Sequence, residues 1–215
     1  MTGTELSTTL GFRLEDTADP PTVFTVQMKM DAINSAQRAI VNLVHDQYLT
    51  ELEEIKNNQS VSGGSVSFST MSIDPIRNRI LGVYDETNDK WATIIDYKDR
   101  KELDNTYLTP SSADAVAYVL NETIYIKPTT ISTVDVWYLK KPTDYTYSDG
   151  TSMATACELN PALYEPILSY AESILWRMDN KLNQANTANQ SAIQQVNVLN
   201  QRIQQDNIET IGTPK

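Results

Sequence analysis

The stretch from Asn160 to Ile203 constrains this chain more than any other, because one helical rhythm runs through it. Asn160 suits a helix cap, and Pro161 suits the first helical position, where an N–H is not needed. Behind them Leu163, Ile167, Ala171, Ile174, Met178 and Leu182 step by 4, 4, 3, 4 and 4 residues. Glu165, Glu172 and Asp179 recur every 7 residues on another face. Apolar residues so spaced share one side of a helix. A helix of this length is stabilised mainly by burying its stripe, so the fold must supply a surface for it.

A second helical pattern, near the other end of the sequence, is the expected partner. Over residues 26–56, with Thr25 as cap, Ile33, Ala36, Ile40, Leu43, Val44, Leu52 and Ile55 recur at helical spacings. A break near His45-Asp46 would divide the run into two helices. Ahead of it Asp19-Pro20-Pro21 forbids a helix, and residues 1–24 read as an extended arm.

Between the two helical regions the period changes. Residues 57–64, rich in Asn, Ser and Gly, read as a loop. Beyond it the residues alternate, or are rich in β-formers, at Val66–Ser69, Arg79–Tyr84, Trp91–Ile95, Val116–Leu120, Thr123–Lys127 and Val134–Leu139. The polar turn at 85–89 predicts a hairpin between Arg79–Tyr84 and Trp91–Ile95, and Asn121-Glu122 predicts another. Residues 97–105 read as a short helix capped by Asp96. The expectation is an α+β fold: a helical bundle of the N-terminal helix and the long C-terminal helix, with an inserted antiparallel β region. The domain boundaries that follow are an arm at 1–24, a domain at 25–182 (helices 26–56 and 161–182 around a β insertion at 64–140), and a C-terminal segment at 183–215.

That last segment changes composition. Fourteen of the 28 residues from Asn180 to Asn207 are Asn or Gln, yet Leu182, Ala185, Asn189, Ala192, Val196, Leu199 and Ile203 keep a heptad seam. A seam this thin on an amide-rich surface predicts a partner in another chain. Ala192, Val196, Leu199, Ile203, Ile208 and Ile211 are the candidate partner-binding residues, ahead of a tail with Gly212 and Pro214.

Composition narrows the function. The net charge is -11, and every third of the chain is acidic. Gripping nucleic acid requires clustered Lys and Arg, and no such cluster exists. The apolar runs reach about six residues, far short of the ~20 a membrane span needs, and the N-terminus lacks the pattern of a signal peptide. A single cysteine, Cys157, excludes an intrachain disulfide and reads as a reduced, intracellular protein. With one histidine, His45, and one cysteine, a zinc site of the usual kind has too few ligands. No phosphate-binding or nucleophile-elbow motif is present. Asp85, Glu86 and Asp89 sit in a predicted turn, where solvation explains them better than a cation does, and their spacing is not that of an EF-hand. The tyrosines and tryptophans between residues 137 and 176, among them Trp137, Tyr138, Tyr145, Tyr164, Tyr170 and Trp176, suit core and subunit contacts rather than base stacking. The expectation is a structural subunit with no catalytic residues, no cofactor and no metal.

Four strings carry a more specific likeness: Asp31-Ala32-Ile33-Asn34-Ser35-Ala36-Gln37; Arg79-Ile80-Leu81-Gly82-Val83-Tyr84; Val136-Trp137-Tyr138-Leu139-Lys140-Lys141-Pro142-Thr143-Asp144; and the helix opening Glu158-Leu159-Asn160-Pro161 through Ala171. In this order they resemble the head–tail adaptor (connector) proteins of tailed, especially short-tailed, bacteriophages. The likeness covers residues 25–182. It implies a helical body with a β insertion and a homo-oligomeric ring, usually of twelve copies, under the portal at one capsid vertex. Such a ring continues the DNA channel without binding the genome specifically, and it offers a platform to tail or further ring proteins. It also implies a virion neck location after assembly in the host cytoplasm, with no membrane contact. The amide-rich 183–215 segment suits a C-terminal reach to the portal, or packing between neighbouring subunits or on a tail protein. The sequence leaves two alternatives: another neck or tail-completion protein without direct portal contact, and a non-viral oligomeric scaffold.

Overall fold

A computed structural model describes residues 1–16, 23–104 and 109–211, apart from the side chains of residues 102, 104 and 205–211. The Asp19-Pro20-Pro21 break, Asn105, and Gly212 and Pro214 of the tail lie outside them. The protein is α+β. It divides into two compact units, one of residues 1–51 with 142–215 and one of residues 52–141.

The first unit is helical. It begins with α1, Gly3–Arg13, where the sequence predicts an extended arm. The prolines bear only on the residues around them, and a Thr-x-x-Glu capping box starts the helix earlier. Glu5 N donates to Thr2 Oγ1 at 3.2 Å, and Thr2 N donates to Glu5 Oε2 at 2.8 Å. Leu6 and Leu10 are buried, and α1 packs on the helices Val26–Val41 and Tyr164–Met178. Its end is tied to the next helix through Asp16. The Asp16 carboxylate accepts from Val23 N and Phe24 N and lies 3.3 Å from Lys29 Nζ, both side chains being buried.

Helix α2, Val26–Val41, starts at Thr25, whose hydroxyl accepts from Met28 N. It stops at Asn42, well short of the predicted residue 56. Two 3-10 turns follow, Asp46–Tyr48 and Thr50–Leu52, and then the chain extends into β1, Glu53–Ser60. The reason is tertiary. Leu49 and Leu52 are fully buried, and β1 pairs antiparallel with the strand Thr133–Lys140, Ile55 facing Trp137. Pairing outweighs the helical spacing of a stretch whose own strand propensity is weak.

After the second unit the chain re-enters the first through α4, Gly150–Ala154. A 3-10 turn, Pro161–Leu163, leads into α5, Tyr164–Met178. Asn160 caps this entry by accepting from Ala162 N at 3.0 Å. The continuous rhythm of the sequence is then cut. Asp179-Asn180-Lys181 forms a tight turn with Asn180 at φ 58, and Lys181 N donates to Trp176 O at 2.9 Å. Helix α6, Leu182–Ile211, folds back along α5 as a helical hairpin. Met178 and Leu182, predicted on the apolar stripe, flank the turn and are exposed.

The second unit holds two four-stranded sheets. One has the order β1-β8-β3-β4, where β3 is Pro75–Asp85, β4 Lys90–Trp91 and β8 Thr133–Lys140. The other has the order β2-β7-β6-β5, where β2 is Ser65–Ser67, β5 Thr93–Ile94, β6 Val116–Leu120 and β7 Thr123–Lys127. Helix α3, Phe68–Met71, and a 3-10 segment, Tyr97–Asp104, connect strands. Val134, Val136 and Tyr138 alternate into a shared core with Ile124, Ile126, Ala117, Val66 and Phe68. The hairpin predicted for Trp91–Ile95 is split at Ala92. Trp91 stays opposite Tyr84 in the first sheet, while Thr93 and Ile94 run parallel to β6 in the second. The hairpin at Asn121-Glu122 forms between β6 and β7, with both residues at positive φ.

Candidate functional site

The chemistry-bearing side chains are spent on structure. His45 caps the Asp46–Tyr48 turn, its Nδ1 accepting from Gln47 N at 3.3 Å, while its own N–H donates to Asn200 Oδ1 at 2.8 Å. Cys157 is buried, and desolvation pushes its thiol up, away from the reactive thiolate. Asp85 is buried and braces the turn after β3. It accepts from Thr87 N, Asn88 N and Asn88 Nδ2. Glu86 and Asp89 are exposed beside it. Among the described residues, no group of three or more His, Cys, Asp and Glu could hold a metal ion, and no helix is long and apolar enough to cross a membrane.

Contact surfaces remain. Four of the six candidate partner-binding residues are buried inside this chain: Ala192 is 0% exposed, Val196 2%, Leu199 8% and Ile203 5%. The seam expected to face another chain is therefore closed within the subunit, where α6 packs on α5. Its small members, Ala185, Ala188 and Ala192, let the two helices approach closely, and Ala188 takes the place expected for Asn189. The later part of α6 is also fastened at the end of α2. Asn200 Nδ2 donates to Leu43 O at 3.0 Å, and the Tyr48 hydroxyl reaches Leu199 O at 3.4 Å. A thin seam suffices here because α5 is tethered next to it and no second chain has to be recruited. The side chains of Ile208 and Ile211 lie outside the described residues. The outer face of α6 exposes Ile193 and Val198 among amides.

The other surface is aromatic, and periodicity alone did not reveal it. On the first sheet Trp91 and Trp137 stack obliquely with ring centroids 4.7 Å apart, and Tyr84 meets them edge-on at 5.3 and 6.4 Å. Trp91 is 57% exposed and Ile55, opposite Trp137, is 44% exposed. Gly82 makes room for this cluster: a Cβ there would sit 2.5 Å from Trp91 Cζ3. The available signal was a glycine inside a strand, two residues before Tyr84. Carboxylates rim the face. Asp89 accepts a hydrogen bond from the Tyr84 hydroxyl. Local desolvation raises the Glu86 carboxyl, and neighbouring Asp135 adds to the rise.

A helical unit with an inserted sheet unit makes this an α+β protein. The chain belongs to the SU10 adaptor protein family, whose model matches residues 1–213. This is a family of phage head–tail adaptors, so the protein is a phage structural adaptor that assembles with other virion proteins, and the family points to the virion neck. No curated protein matches the chain.

Proposed function

We propose that this protein forms a ring beneath the portal, joins the capsid to the tail and continues the DNA channel. The observation that carries the reading is the family match across nearly the whole chain. The charge supports it. Acidic residues outnumber basic ones in every third of a chain whose net charge is -11, and such a surface lets a polyanion pass without holding it. In this reading about twelve copies surround the channel, and tail or further ring proteins dock below. The non-viral scaffold falls away with the family membership.

The burial of Ala192, Val196, Leu199 and Ile203 within the subunit favours a second reading for α6. There it is chiefly a brace for α5, and the protein sits in the neck without gripping the portal through that seam. A portal-docking role would then fall to the end of the chain, residues 205–215, with Ile208 and Ile211.

The deciding experiment mixes the full chain with the portal protein from the same phage genome and reads the species by mass photometry and negative-stain microscopy. Portal-capped rings are the expected outcome. A chain that never associates with the portal overturns portal contact and leaves the second reading. Deleting residues 205–215, rather than 183–215, then assigns the C-terminus its job, because the longer deletion would strip the partner of α5.

A further inference from the structure

Register builds an aromatic platform on the outer side of the first sheet. Ile55 and Gly82 both stand opposite Trp137, and Tyr84 stands opposite both Asp135 and Trp91. Residues opposite one another share a face of a sheet. The other side of β8 points Val134, Val136 and Tyr138 into the core. Trp91 is more than half exposed, yet Trp137 and Tyr84 hold its indole in place. The rings therefore form a rigid apolar surface that folding alone leaves uncovered.

The charge around this surface selects its occupant. Asp135 lies on the face, and Glu86 and Asp89 lie in the turn beside it. None of the paired residues on the face is basic. Lys90 turns aside toward Ala113 O at 3.4 Å. Lys56 stands opposite Val136, which places it on the core side of the sheet. Asp135 raises the Glu86 carboxyl further beyond the effect of desolvation, so a cation set between them would relieve their repulsion. A phosphate or another acidic surface is repelled. An aromatic floor with a carboxylate rim suits a guanidinium, which stacks on rings and pairs with acids at once, better than a compact, strongly hydrated ammonium.

A second copy of this chain is a poor source of that guanidinium. It carries the same acidic rim and a net charge of -11. Five of its seven arginines are engaged within their own subunit. Arg13 and Arg38 pair with Glu165 and Asp144, Arg100 lies over the Tyr97 ring, and Arg77 and Arg79 also have partners in the chain. We infer that the Ile55, Tyr84, Trp91 and Trp137 face receives an arginine-bearing segment of a different virion protein, its guanidinium stacked on an exposed ring and paired with the carboxylate rim. The inference rests on the family's assembly with other virion proteins and not on the ring reading.

Isothermal titration calorimetry on the full chain at pH 8 tests it with three probes: the acetylated peptide Gly-Arg-Val-Arg-Gly, the same peptide with lysine for arginine, and spermidine. The arginine peptide should bind tightest, by about threefold over the lysine peptide. Trp91→Ala should erase that preference. Glu86→Gln/Asp89→Asn should weaken both peptides by on the order of tenfold, the asparagine keeping the left-handed turn at 89. Asp31→Asn/Glu122→Gln removes two exposed carboxylates elsewhere and should change nothing. Circular dichroism checks that every variant folds. A wild type that binds no arginine peptide overturns the inference. So does equal weakening in both double variants, which would mean attraction to net charge alone. Spermidine or the lysine peptide binding as tightly as the arginine peptide, with Trp91→Ala without effect, would remove the stacked guanidinium. Sedimentation velocity covers the remaining occupant: a self-association of the wild type that Glu86→Gln/Asp89→Asn abolishes would assign the face to a second copy and overturn the different partner.

Discussion

The side-chain amide of Asn34 on α2 holds the backbone of Tyr145 from both sides: Asn34 Nδ2 donates to Tyr145 O at 2.8 Å, and Tyr145 N donates to Asn34 Oδ1 at 2.9 Å. Both residues are buried. One side chain therefore satisfies two backbone groups, in a segment 111 residues away, that have left regular structure. Replacing Asn34 with leucine leaves both groups unpaired and should destabilise the helical unit by about 2–4 kcal/mol. Denaturant unfolding followed by circular dichroism measures this, and a loss below about 0.5 kcal/mol, the scale of a surface substitution, would mean that the pairing matters little.

Gly82 is held by Trp91 rather than by its own backbone. Gly82→Ala should displace the indole and cost about 1–3 kcal/mol through overpacking. The intrinsic fluorescence should shift to the red, because Trp91 is more than half exposed already and would lose its contact with Trp137. An unchanged emission spectrum would contradict the close approach.

The two faces of α6 predict opposite tolerances. Ala192 is fully buried and Ile193, its neighbour, is exposed. Ala192→Leu should cost about 1–3 kcal/mol, while Ile193→Ser should stay within about 0.5 kcal/mol. The reverse order in thermal melts would place the seam on the other face.

Tyr138 gives the stability a definite alkaline limit. Burial, and then its hydrogen bond to Glu54, raise its hydroxyl from 10.0 to about 12. The neutral phenol is therefore favoured in the folded chain. Its contribution is complete below pH 10, where the unfolded chain begins to ionise, and is lost between 10 and 12, at up to ~1.4 kcal/mol per pH unit. Burial raises Tyr145 in the same direction. Urea midpoints should fall across that range, and Tyr138→Phe should make the fall shallower. An equal slope in the variant would remove Tyr138 from the account.

The parts of the fold that could be read in advance were those governed by local rules. Asn160-Pro161 starts a helix in any context that does not oppose it, and Thr25 caps α2 for the same reason. Alternation at Val134, Val136 and Tyr138 sets which side of β8 is buried. The capping box at Thr2 and Glu5 was equally legible but was hidden by the prolines near residue 20. Residues 53–60 were not legible, because Glu-Glu-Ile-Lys-Asn-Asn-Gln-Ser has no strand signature until β8 lies beside it. Tyr84, Trp91 and Trp137 could be seen singly, but only the register that sets Tyr84 opposite Trp91, and Trp137 opposite both Gly82 and Ile55, gathers them on one face.

The amino-acid sequence by itself determined that this is an acidic α+β chain with helical ends, a β-rich middle and no clustered chemistry, because composition, period and caps act over a few neighbouring residues. Only the tertiary structure decided where α6 turns its apolar seam. The heptad spacing is satisfied equally by a neighbour in the same chain or in another. The left-handed Asn180 folds α6 back onto α5, and a tethered helix reaches that seam at far lower entropic cost than a separate one.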